Sequence, residues 1–215
     1  MAHTKWKQGF FSDVEPISMR DPLAEALGAV NPGELIHYHY TDCVKVAGHA
    51  CASVSSAFMM TKLALNALFG DETPVRGEIS ARIAGGREDG ATGPIGQVIQ
   101  FITGAAVETG FKGLGGRFAR AHKFLYDENL KDEAGQGILA EFTRLDTGVK
   151  VRVRANPSII PLTGEEMAGA QHFAKVVSGK ANEEEREAFF AYWQGRNRKI
   201  LLEQIPGLFS VERIG

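Results

Sequence analysis

The stretch Cys51–Gly70, C-A-S-V-S-S-A-F-M-M-T-K-L-A-L-N-A-L-F-G, decides the fold class. From Cys51 or Ala52 to Leu68 its apolar residues fall on most sides of a helix, and a helix of that kind is buried inside a larger structure. Small residues (Ala52, Ser53, Ser55, Ser56, Ala57) fill its first turns, and larger ones (Phe58, Met59, Leu63, Leu65, Leu68) follow. The small residues allow close approach to a neighbouring backbone or a ligand. Gly70 is a natural stop.

The segments on either side supply something to bury it against. Downstream, Ile138–Leu145 and Val149–Ala155 alternate around Asp146-Thr147-Gly148, which predicts a hairpin. Val75–Ile83 is a further strand candidate, and Ile95–Ile102 reads as a second buried helix stopped by Gly104. A glycine-rich loop, Gly110–Gly116, leads into an expected strand over Arg117–Tyr126. Upstream, Glu34–Thr41 alternates, with Leu35, His37, His39 and Thr41 on one face and Ile36, Tyr38 and Tyr40 on the other. Asp21-Pro22 opens a short helix through Leu27, with Asp21 as N-cap, and Asn31-Pro32-Gly33 makes a turn. Residues 1–20 show no clear period and are expected to wrap the surface, with His3 in a disordered start.

Two helices are expected to finish the chain. Thr163-Gly164-Glu165-Glu166 is a capping box, and Asn182 before three glutamates complements a helix dipole. The expected architecture is α+β: a mixed or antiparallel sheet packed with buried helices over residues 1–156, and a helical C-terminal extension, 157–215, packed on that core.

Composition narrows the class. A chain of 215 residues, 44% apolar and 23% charged, can bury a sizeable core without staples. A net charge of −2 creates no global field for nucleic acid or an anionic membrane. No export signal and no long uninterrupted apolar run are evident, so a cytoplasmic protein without a membrane span is expected, with Cys43 and Cys51 as reduced thiols. The apolar positions Phe189, Phe190, Tyr192 and Trp193 leave two options open, a homodimer or burial against the chain's own core.

Metal-competent side chains concentrate in one place: His37, His39, Cys43, His49 and Cys51. Histidines at i and i+2 of a strand point to one face. Cys51 near a helix N-terminus sits where the dipole favours thiolate. Imidazole and thiolate together suit a divalent metal, zinc first. Without paired C-x2-C knuckles an open site is expected rather than a closed zinc finger. His122 is a more distant candidate to complete a site with His49 and Cys51, while His172 reads as core. Two alternatives stay open: Cys51 as nucleophile with His49 or His39 as base, and a non-covalent haem or other transition-metal cofactor, since no C-x-x-C-H motif is present. The loop Gly110–Gly116 matches neither a dinucleotide fingerprint nor a Walker loop. Arg87, Lys112 and Arg117 beside it could hold an anionic group of a small-molecule ligand or substrate.

These segments, in order, resemble the FmdE-like family, named for a component of formylmethanofuran dehydrogenase. Ala47-Gly48-His49-Ala50-Cys51 is similar to that family's H-G-H-x-C-P-G signature, and Ile99-Gln100-Phe101-Ile102-Thr103-Gly104 to its I-Q-x-x-T-G segment. Lys112-Gly113, a Lys123-Phe124 pair and a hairpin follow, so the likeness covers roughly residues 35–155. The resemblance implies an α+β core and a cleft around the His-x-Cys loop, often with bound metal, in which His49 and Cys51 match the signature's second histidine and its cysteine. The chain departs from the pattern at Ala47, in place of the first histidine, and at Ala52 and Ser53, in place of Pro-Gly. The family's cysteine and aspartate before the I-Q segment fall near Pro94 and Gln97. His37, His39 and Cys43 are the residues expected to compensate. The implied function is a metal-binding protein acting on a small molecule, or a metal or cofactor carrier without turnover.

Overall fold

A computed structural model describes residues 4–131 and 137–215; His3 lies outside the described residues. The fold is α+β. Its centre is a five-stranded mixed sheet in the order β4-β3-β5-β6-β7, built from β3 (Ile79–Ala84), β4 (Phe124–Asp127), β5 (Ile138–Arg144), β6 (Lys150–Ala155) and β7 (Phe209–Arg213). The β3–β4 pair is parallel and the others are antiparallel. The hairpin read around Asp146-Thr147-Gly148 forms β5 and β6, with Thr143 opposite Lys150.

Alternation gives the sheet two chemically different faces. Ala81, Ile83, Ala140, Phe142, Val151 and Val153 are buried on the inner face. The long apolar helix α3 (Ala52–Phe69) packs there against β5, β6 and β7, and α4 (Thr92–Thr103) packs against β3 and β4. By length and composition α3 could cross a bilayer, yet 61% of it is buried within the protein. The outer face carries Ser80, Arg82, Glu141, Thr143, Lys150 and Arg152. Glu141 is buried between Arg82 at 2.7 Å and Arg152 at 2.7 Å. Burial pushes its carboxyl up, but the hydrogen bonds from Arg152 and Arg82 outweigh that and hold it below the ordinary carboxylate range.

The N-terminal stretch differs from expectation. Residues Ile17–Arg20 form β1, which pairs antiparallel with β2 (Leu35–Tyr38) as a separate two-stranded sheet. Phe11, Val14, Ile17 and Met19 enter the core. A four-residue strand buries too few side chains for a period to show. Next, α1 (Pro22–Ala26) forms as read, capped by Asp21, which accepts from the backbone N–H groups of Leu23 and Ala24. The alternation over Glu34–Thr41 stops early, because the His39 N–H is taken by the Asp42 carboxylate at 3.0 Å. That bond starts α2 (Tyr40–Ala47), which ends at Gly48 with a left-handed φ of +74°.

The C-terminal segment holds three helices where two were expected, α5 (Gly164–Ala170), α6 (Phe173–Val177) and α7 (Glu183–Leu202); the predicted capping box opens α5, and Asn182, read as a favourable start for the last helix, forms a second box with Glu185. It also supplies β7, an edge strand of the main sheet, which the sequence reading lacked. The Trp193 indole donates to the Ala50 carbonyl at 2.8 Å, and the buried Asn197 accepts from the Ser55 hydroxyl at 3.2 Å. Both contacts tie α7 to the start of α3. The small residues there admit a neighbouring helix.

Candidate anion-binding recess

The five metal-competent residues of 37–51 are dispersed. His37 is exposed on β2 with Nδ1 against the Ser18 hydroxyl at 2.8 Å, while His39 sits at the head of α2. They do not share a strand face, because the strand ends between them. Cys43 is buried inside α2; burial, with the nearby Asp42 charge adding, pushes its thiol up to about 12. It is therefore an uncharged core thiol at neutral pH. His49 is exposed, with Nδ1 2.9 Å from the Ala47 carbonyl. Cys51, half-buried, is the extended N-cap residue of α3, and its side chain makes no capping bond. His122 stands exposed at the far edge of the sheet, beside β4. Among the described residues, no three His, Cys, Asp or Glu side chains converge to hold an ion. The described residues do not assemble the ligand set that the family resemblance implies.

Charge converges elsewhere. Asp21, 3% exposed, accepts from Arg76 Nη1 at 3.0 Å and from Arg120 Nη2 at 2.7 Å. One carboxylate thus serves two guanidinium groups. Burial pushes Asp21 up, but the Arg76 hydrogen bond and the charges of Arg120 and Arg76 more than offset this and hold it below the ordinary range. The remaining donors of Arg76 go to the carbonyls of Phe101 and Ile102, at 2.9 and 3.1 Å. Those carbonyls belong to the last turn of α4, where helix acceptors have no intrahelical partner. Arg76 is therefore occupied in holding the fold.

Arg120 is not. It is 6% exposed, and its Nε and Nη1 are buried without a hydrogen-bond partner among the described residues. Its guanidinium threads between two glycines: a Cβ added at Gly77 would lie 1.5 Å from Nη1, and one at Gly104 2.8 Å from it. Above it opens a recess of about 360 Å³ lined by Arg20, Arg76, Glu78, Arg117, Phe118 and Lys123 together with Arg120. Arg20 is paired with Glu25 at 2.6 Å. Lys123 donates to the Gly77 carbonyl at 2.6 Å; desolvation, reinforced by the Arg120 charge, lowers its pKa. Burial likewise lowers that of Arg120. Burial sets both directions and the neighbouring cations add to it, while Asp21 opposes the shift at Arg120 and Glu78 opposes it at Lys123.

The glycine-rich loop sets the rim. Leu114 and Arg117 exchange backbone hydrogen bonds at 2.9 and 3.0 Å around Gly115 and Gly116, whose φ values are +57° and +75°. Two left-handed residues in a two-residue turn favour Gly-Gly. This turn ends the run at Arg117 and directs it to the recess, so the expected strand over Arg117–Tyr126 shortens to β4. Phe118 and His122, with φ of +63° and +62°, are the non-glycine residues with left-handed backbone among those described. Such conformations persist where the surrounding structure enforces them, and they cluster at functional sites. Among the described residues Arg117 has no carboxylate partner, and it stacks on the Phe118 ring at 4.8 Å. Lys112 is exposed on the same loop. Arg87 forms a forked pair with Glu108 at 2.7 and 2.9 Å instead.

Comparison with family models finds no match for this chain, and neither curated proteins nor solved structures show a similar one. The recess therefore stands on its geometry. Sequence reading reached Arg117 and missed Asp21, Arg76 and Arg120 as a group, because its members lie 55 and 99 residues apart. The available signal was Arg120 itself, a charged residue on the face that also carries Phe118, Phe124 and Tyr126.

Proposed function

We propose that this protein binds a small anionic molecule, with the arginine-lined recess as its recognition site. The observation that carries the reading is Arg120: a buried guanidinium that, among the described residues, shares its one carboxylate with Arg76 and keeps two nitrogens unpartnered. A buried charge without full compensation is costly, and an anion entering beside it lowers that cost. Arg117 and Lys123 at the rim supply further donors suited to a phosphate or carboxylate. The volume lies within the range of small-ligand pockets.

Inorganic phosphate, titrated calorimetrically at low salt, is the first probe. Arg117→Ala is expected to weaken binding roughly tenfold, the loss of one charge-assisted hydrogen bond of about 1.5 kcal/mol. Binding should also fall as salt screens the rim. Unchanged affinity in Arg117→Ala would remove the recess as the site.

A second reading keeps the metal expectation in reduced form, on one observation. A carbonyl only accepts, so His49 Nδ1 carries the proton toward Ala47 and Nε2 is left as the open lone pair. With Cys51 this makes two donors, and a divalent ion would need its other ligands from a substrate or a second molecule. Elemental analysis of wild type and of the His49→Ala, Cys51→Ala double variant tests it. The reading expects zinc or another divalent metal in the wild type alone; equal content in both discards it.

A further inference from the structure

The arginine recess has a neighbour. A hollow of about 470 Å³ lies on the outer face of the main sheet, and Lys123 lines both spaces. Its floor follows from the strand register. Ser80 opposes Thr143 and Thr143 opposes Lys150, and directly opposed residues share a face. Ser80, Thr143 and Lys150 therefore form one row on the outer face, next to the row of Arg82, Glu141 and Arg152. The lining holds the cations Arg82, Lys123, Lys150 and Arg152 and one acid, Glu141, besides the hydroxyls of Ser80 and Thr143 and the imidazole of His122. Glu141 is already taken by Arg82 and Arg152, and these two arginines have further carboxylates in Asp127, at 3.1 Å from Arg82, and Glu212, at 4.0 Å from Arg152, which leaves Lys150 and Lys123 as the cations facing a ligand. Lys150 is exposed and has no carboxylate within ion-pair distance among the described residues.

We propose that the ligand carries two anionic groups at opposite ends, one in the arginine recess and the other in this hollow beside Lys150, with Lys123 between them. This rests on the reading of the recess as an anion site and adds the class of ligand: a small molecule with two separated phosphate or carboxylate groups, such as a sugar bisphosphate. A single anion of the same kind would occupy one of the two spaces. Joining the two groups makes the second contact intramolecular and raises affinity without any new interaction.

Three probes separate the possibilities: fructose bisphosphate, fructose monophosphate and pyrophosphate, titrated into wild type and Lys150→Ala. Pyrophosphate joins its two anionic groups through a single oxygen, without the sugar between them, so it controls for charge alone. The bisphosphate is expected to bind wild type at least about tenfold more tightly than either other probe. In Lys150→Ala that advantage should collapse while monophosphate affinity stays the same. Equal affinity for bisphosphate and pyrophosphate, or an advantage that survives Lys150→Ala, overturns the two-ended ligand and leaves the recess standing. Failure of all three probes to bind overturns the recess as well.

Discussion

Asp21→Asn is expected to destabilise the protein by about 3 to 5 kcal/mol, the range for removing one partner of a buried ion pair. Asparagine is as good an N-cap as aspartate, so the substitution preserves the start of α1 and isolates the charge. Arg120 would then remain buried with all counter-charge gone, and Arg76 would keep only its carbonyl partners. Asp21 and Arg120 side chains are 5% and 7% exposed, so water cannot replace the lost carboxylate as it does at the surface. Urea denaturation monitored by tryptophan fluorescence reads the change directly. Phosphate should raise the midpoint of the variant more than that of the wild type, since an anion bound to the native state substitutes for the missing charge. A loss below about 1 kcal/mol would instead class the triad with surface pairs.

The same group predicts a pH dependence. The Asp21 carboxyl is held below its unfolded value, so the folded state binds the proton less readily than the unfolded chain. Its contribution is complete at neutral pH and fades as pH falls through the ordinary carboxylate range. It is gone below the depressed native value. The variant should lack this part of the acid limb.

Gly77→Ala is expected to be strongly destabilising, because the side chain that it displaces is buried. The added Cβ would lie 1.5 Å from Arg120 Nη1 and 2.2 Å from its Cζ, so the guanidinium must leave its channel. Leaving breaks the 2.7 Å bond to Asp21 and removes the buried charge from the recess. A loss of about 3 kcal/mol or more follows, together with loss of phosphate binding. Gly28→Ala provides the contrast, because Gly28 has a left-handed φ of +74° but nothing within 4 Å of an added Cβ. Its cost is backbone strain alone, about 1 to 2 kcal/mol, with phosphate affinity intact. If the two variants behave alike, strain accounts for both and Arg120 does not depend on the glycine.

Legibility along this chain followed locality. Elements whose signal is carried by neighbours in sequence were readable: α3 from its all-round apolarity, the β5–β6 hairpin from alternation around Asp146-Thr147-Gly148, α4 from its apolar run and Gly104, and the caps at Asp21, Thr163 and Asn182. Each needs only the 3.6- or 2-residue period or one side chain bonding a backbone group two or three positions away. The histidine grouping misled because density in sequence was taken as density in space. A single capping bond from Asp42 turned His39 off the strand, and burial in α2 neutralised Cys43. The turn at Gly115-Gly116 likewise redirected the chain to place Arg117, where simple alternation predicted a strand.

The sequence by itself therefore determined the β5–β6 hairpin, the two buried helices, the caps, the α+β class and the buried character of the central helix, since all of these follow from short-range pattern and total apolar content. Only the tertiary structure decided which charges matter. Asp21 reads as a helix cap, Arg76 as part of a strand candidate and Arg120 as one residue of an alternation, and none is unusual until folding removes them from water together. The energy of a charge is set by its dielectric surroundings and its counter-ions. Both are properties of packing across 55 and 99 residues of chain, beyond the reach of any local pattern.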